Sequence, residues 1–132
     1  MPTLFTRIIQ GEIPCHQVAE DDRHIAFLDI RPVKPGHTLV VPKREVDYIF
    51  DLTDEETAAL WCFARRVAVG VKAATRPTKV GIMVAGLEVP HVHIHLIPIT
   101  SVGDLNFKLA TDTPADELAA MATRIREGMG LR

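Results

Sequence analysis

A chain of 132 residues has the size of one domain, and 47% apolar with 24% charged residues is the make-up of an ordinary globular protein. A net charge of −2 excludes the basic footprint of a nucleic-acid polymer binder, while leaving room for a small anionic ligand in a local pocket. Charged residues interrupt every apolar run well before the roughly 20 residues of a membrane span. The N-terminus lacks a charged region followed by an apolar one, so no signal peptide is read and the cytoplasm is the expected location. Cys15 and Cys62 form no CxxC pair and are expected as free thiols.

Residues 4–9 (LFTRII) carry apolar side chains at helical spacing, and Gly11 and Pro14 limit them to one or two turns. Residues 25–30 (IAFLDI) read as a strand ended by Arg31-Pro32, and residues 37–41 (HTLVV) as a second, bounded by Pro35-Gly36 and Pro42. A long helix is predicted over residues 53–75. Thr53 with Glu56 forms a capping box, and Leu60, Ala64, Val67, Val71 and Ala74 make one buried stripe, widened by Trp61 and Phe63. Residues 79–85 and 89–99 read as two more strands and residues 101–111 as a loop. A last helix begins at Pro114 with Leu118, Met121, Ala122 and Ile125 as its apolar face. Strands joined by short turns with helices around them predict an α+β fold: an antiparallel sheet with the long helix packed on one face.

Histidine is the oddity. Of six, three fall in His91-Val92-His93-Ile94-His95. In a strand these three share one face, roughly 7 Å apart, with Val92, Ile94 and Leu96 on the other. Burying the aliphatic face leaves the imidazoles toward a cavity or solvent. Three readings follow: a solvated polar row, a metal site with neighbouring ligands, or a phosphate-handling site. In the last, one neutral imidazole attacks phosphorus and another donates a proton. His16 and His24, among polar residues, are expected to be solvated, and Glu45 and Asp47 to be plain surface charges.

The triad, reached through Gly86-Leu87-Glu88-Val89-Pro90, resembles the signature of the histidine triad (HIT) superfamily of nucleotide hydrolases and transferases. Residues 5–14 (FTRIIQGEIP), 26–30 (AFLDI) and 35–43 (PGHTLVVPK) resemble its other segments, so the likeness covers nearly the whole chain. It implies a five-stranded antiparallel sheet with one long helix plus short N-terminal and C-terminal helices, in a single HIT-like domain over residues 1–132. It also implies a homodimer acting on a small purine nucleotide, with no cofactor. By that resemblance His93 is the nucleophile that becomes nucleotidylated, His95 contacts the phosphate and protonates the leaving group, and His91 orients His93. Asp29, beside Ile30, matches the ribose-binding acid. Phe5, Ile8, Ile13 and Phe27 match the apolar positions around the base, His37 matches a supporting histidine, and backbone amides at Glu88 and Val89 match a phosphate contact.

Three departures stand out. Where many relatives bind zinc through a Cys-x-x-Cys, a later histidine and a triad residue, this chain has Thr3, Thr6 and Glu45, so no structural zinc is expected. Val80 and Leu87 occupy positions read as usually polar, which favours a catalytically weak nucleotide-binding or signalling module as one alternative. A zinc-dependent hydrolase is another. The intact triad favours a hydrolase that cleaves nucleoside 5'-phosphate derivatives, of phosphoramidate or dinucleoside polyphosphate type.

Overall fold

A computed structural model describes residues 2–131. Its elements in chain order are α1 (Leu4–Ile9), β1 (Gln17–Glu20), β2 (His24–Leu28), β3 (Thr38–Pro42), α2 (Asp54–Thr75), β4 (Lys79–Met83), β5 (Ile94–Ile99) and α3 (Ala115–Gly128). The five strands form one antiparallel sheet in the order β1-β2-β3-β5-β4. The α+β architecture expected from the sequence is the one found.

Alternation along the strands sorts the residues into two layers. Ala26, Leu28, Val40, Ile94 and Leu96 face α2 and α3, where Leu60, Phe63, Ala64, Val67, Val71, Leu118, Met121, Ala122 and Ile125 complete the main core. Burying each of these larger side chains contributes about 1.5–3 kcal/mol. Ile25, Phe27, Leu39 and Val41 face the other way and pack on Phe5 of α1 in a smaller cluster. The capping box is present at the start of α2: Thr53 accepts from the Glu56 amide, and Glu56 accepts from the Thr53 amide. α2 and α3 cross closely at Gly70, where a Cβ would come within 2.6 Å of the Ile125 carbonyl.

Four expectations change. β1 was not read from the sequence, because a bulge between Gln17 and Ala19 breaks its alternation and buries Val18 and Ala19 together. Trp61 does not widen the buried stripe; it is 37% exposed. His24 is buried, not solvated. It opens β2 on the α2 face, stacks on Phe63 at 5.0 Å, and donates from Nδ1 to Asp21 at 2.9 Å. Finally, the last strand begins at Ile94 and not at residue 89. The residue opposite Val92 in the β3 register is Pro42, which has no N–H to continue the ladder, and the Val92 amide donates instead to the Val46 carbonyl.

Candidate active site

A cavity of about 240 Å³ lies between α1, the ends of β2 and β5, and the turn before the histidines. Phe5, Ile8, Ile13, Phe27, Asp29, Ile30, Glu88, Val89, His93 and His95 all line it, so ten of the residues singled out in the sequence meet there. Leu4, Pro14, Cys15 and Leu39 join them; Leu39 follows from strand alternation, whereas nothing local in the sequence marked Pro14 or Cys15 as lining. His91 and His37 stand behind the lining, 0% and 1% exposed. The imidazole row does not face open solvent: His93 and His95 are only 5% and 7% exposed.

Each ring is held by hydrogen bonds that dictate its tautomer. His93 uses Nδ1 to donate to the His91 carbonyl at 2.7 Å, which leaves Nε2 as the nitrogen with the free lone pair. The His37 Nδ1 accepts from the Val33 amide at 3.0 Å, so its proton sits on Nε2 and is donated to His95 Nδ1 at 2.9 Å. His95 therefore carries its own proton on Nε2. His91 donates from Nε2 to the Pro42 carbonyl at 2.8 Å and accepts at Nδ1 from the Thr3 hydroxyl at 2.7 Å.

Burial drives the charge state. It pushes His95 down to about 3, helped by His37 and His93 nearby. Burial likewise lowers His37, against the pull of Asp29, and His91, against its bond to Pro42. The imidazolium expected beside the nucleophile is thus not the form in which His95 stands in the free protein. Asp29, just past β2, accepts from the Arg31 amide at 2.9 Å through Oδ1 and lies 3.8 Å from His37 Nε2 through Oδ2.

Two donor sets bear on metal binding. Asp29, His37 and His95 bring ligand atoms within 4.8 Å of one another. The His37 Nε2 already holds a proton because the Val33 amide claims Nδ1, so it offers no lone pair. At the other set, the Glu45 carboxylate accepts from the Thr3 amide at 2.8 Å and the Thr6 hydroxyl at 2.6 Å, and Thr3 in turn serves His91. Hydroxyls replace the thiolates a structural zinc site needs, so these residues do not fit zinc. Glu45 is consequently more than a surface charge: the Thr6 hydroxyl first, then the Thr3 amide, hold its carboxyl below the usual range. Of the two positions read as departures, Val80 packs into the core under α2 and Leu87 is 92% exposed.

The geometry defines an α+β sheet protein with a row of tautomer-locked histidines at the floor of a small apolar cleft. Residues 10–102 match the HIT domain, and the chain belongs to the HIT family. Members of that family are generally nucleotide hydrolases or transferases. A HIT-like protein of Bartonella henselae, described as involved in cell-cycle regulation, is 33% identical, with a TM-score of 0.85 over 96% of this chain and 95% of that one. A zinc-bound histidine triad family protein of Mycobacterium smegmatis is 25% identical, with a TM-score of 0.82 over 96% and 92%. The adenosine 5'-monophosphoramidase of Schizosaccharomyces pombe is 35% identical over 103 residues, 74% of each chain. Among the described residues, no helix is long and apolar enough to cross a membrane.

Proposed function

We propose that this protein hydrolyses nucleoside 5'-phosphate derivatives, of phosphoramidate or dinucleoside polyphosphate type, through a covalent intermediate on His93. The observation that carries this is the His93 Nδ1–H bond to the His91 carbonyl, which leaves an unprotonated Nε2 on a residue lining an apolar cleft beside Asp29 and His95. Nε2 attacks phosphorus and the bond to the leaving nitrogen or oxygen breaks with its electron pair. The positive charge formed on the ring is shared with the His91 carbonyl through Nδ1–H. An anionic phosphate against His95 opposes the burial that keeps it neutral, so with substrate the ring takes up a proton at Nδ1, giving up the bond from His37, and passes its Nε2 proton to the leaving group. Water then gives a proton to the His95 Nε2 and attacks phosphorus, His93 departs unchanged, and the nucleoside 5'-monophosphate is released.

Asp29 accepts the ribose hydroxyls, and Phe5, Ile8, Ile13 and Phe27 hold the base, with Ile30 at the rim. Backbone amides at Glu88 and Val89 bind the phosphate, and His37 and His91 position the two reacting imidazoles. A purine is favoured by the relative that acts as an adenosine 5'-monophosphoramidase. Of the two residues behind the weak-binder alternative, Val80 packs against the main core and Leu87 stands exposed before Glu88.

The test is intact-mass analysis of a His95→Ala variant quenched without acid after mixing with an adenosine phosphoramidate. An adduct of one nucleotidyl group is expected, and none in His93→Ala/His95→Ala. No adduct, together with no wild-type turnover over a nucleotide panel, overturns the reading. The cytoplasm is the proposed location. A homodimer is proposed through the exposed edge strand β4, with Ile82, and Trp61 and Val69 of α2. A monomer by light scattering at micromolar concentration overturns it.

A further inference from the structure

The sheet face that carries the histidines has two covers. α1 lies over its β2–β3 half, with Phe5 edge-on to Phe27 at 5.6 Å. Residues 100–112 lie over the β4–β5 half. This segment has no long element, only the short turns Val102–Asp104 and Phe107–Leu109, yet it is held at three places. At its start, Asp104 Oδ2 accepts from the Thr100 and Ser101 amides at 2.8 and 3.2 Å, while Oδ1 pairs with Lys34 at 3.4 Å. In its middle, Leu105 sits on Gly81 of β4, where a Cβ would come within 3.0 Å of Leu105 Cδ2. At its end, Arg31 donates to Asp112 at 3.0 Å and to the Ala110 carbonyl at 3.3 Å. In the same place the Thr111 amide donates to the Pro32 carbonyl at 3.2 Å. Between the last two anchors, the Phe107 ring lies against the His95 ring, centroids 4.8 Å apart.

We propose that Phe107 is a positioning residue, which the strap of residues 100–112 clamps on His95 to hold that imidazole in place and keep water from it. Three observations converge. Phe107 packs on a part of His95 that His37, at Nδ1, and His93, at 4.8 Å, do not take, while Nε2 is left toward the cleft. It is anchored on both sides of Phe107 and not at one end only. Gly81 gives up its own side chain on the histidine face to seat it. Phe107 belongs to neither buried cluster of the sheet and is 40% exposed.

The titratable groups beside His95 are His37 before β3, His93 before β5 and Asp29 after β2. Removing the Phe107 ring admits water to His95 while leaving these charges where they are, so its proton affinity rises. The catalytic half of this inference rests on the proposed role of His95; the shielding of the ring does not.

The experiment is an NMR titration of ¹⁵N-labelled imidazoles in the ligand-free protein. In Phe107→Ala the His95 midpoint is expected to rise by about one pH unit or more, with His91 unmoved. Leu105→Ala, which loosens the seat without touching His95, is expected to move it the same way by less. Phe107→Tyr, which keeps the ring, is expected to retain the wild-type midpoint. With a nucleotide phosphoramidate, kcat of Phe107→Ala falls about tenfold with KM little changed, and its alkaline limb shifts upward with the His95 midpoint. A His95 midpoint within about 0.2 unit of wild type in both alanine variants overturns the proposal, as does an equal movement of His91. A shifted His95 in a chain that turns over no nucleotide upholds the strap and removes the catalytic reading.

Discussion

His91 and His95 flank the same residue, are both buried, and are both pushed toward the neutral form, yet the chain treats them in opposite ways. His91 spends both ring nitrogens on the protein, one on the Pro42 carbonyl and one on the Thr3 hydroxyl. It ties the N-terminal segment to the end of β3 and has no nitrogen left for a ligand. His95 spends only Nδ1, on His37, and among the described residues its Nε2 makes no hydrogen bond. An imidazole with two fixed partners is a structural joint, whereas one with a single fixed partner is an aimed donor. Burial and sequence spacing do not separate the two; the hydrogen-bond partners do.

That contrast is most open to refutation by deleting each ring in turn. His95→Ala is expected to lower kcat by about 10²–10⁴ with a modest loss of stability. His91→Ala is expected to cost about 2–4 kcal/mol in urea unfolding, since it leaves a cavity, an unpaired Pro42 carbonyl and a freed Thr3. Equal stability losses in the two variants would erase the distinction.

Acid provides the next test. The unfolded chain takes up protons near pH 6.5 that His37, His91 and His95 refuse while folded, so stability falls as pH drops below about 6.5, by about 1.4 kcal/mol per pH unit for each histidine involved. For His95 the loss continues down to about pH 3. Carboxylates held low, such as Asp21 and Glu45, add to the loss further into the acid range. His95→Gln should flatten the unfolding free energy between pH 6.5 and 4; an unchanged slope would mean that His95 titrates normally in the folded chain.

Smallest is the effect of Glu45→Gln, which weakens the bonds that dock α1 beside His91. About 1 kcal/mol of stability and a KM increase of about threefold at constant kcat are expected. A fall in kcat alone would place Glu45 in the chemistry instead of in the wall of the cleft.

Much of this was legible in advance because periodicity and caps are local. Thr53 and Glu56 announce α2, and strand alternation around Val92, Ile94 and Leu96 announces which way the histidines turn. The cleft residues from Phe5 to Val89 were found by their likeness to a family, and the structure brings them together. What escaped had non-local causes. β1 hides behind a bulge, His24 is buried by Phe63 thirty-nine residues on, and Glu45 is drawn into a network by Thr3 and Thr6, 42 and 39 residues before it.

The sequence by itself determined the α+β class, the helix boundaries and the grouping of His91, His93 and His95, because each depends on residues within a turn or a strand of one another. Only the tertiary structure decided what each histidine can do. Tautomer and proton affinity depend on partners such as Val33, Pro42 and Phe107, set by how the β3 end, the N-terminal segment and the strap pack around the row. Hydrogen-bond geometry and burial act through space, and no spacing along the chain encodes them.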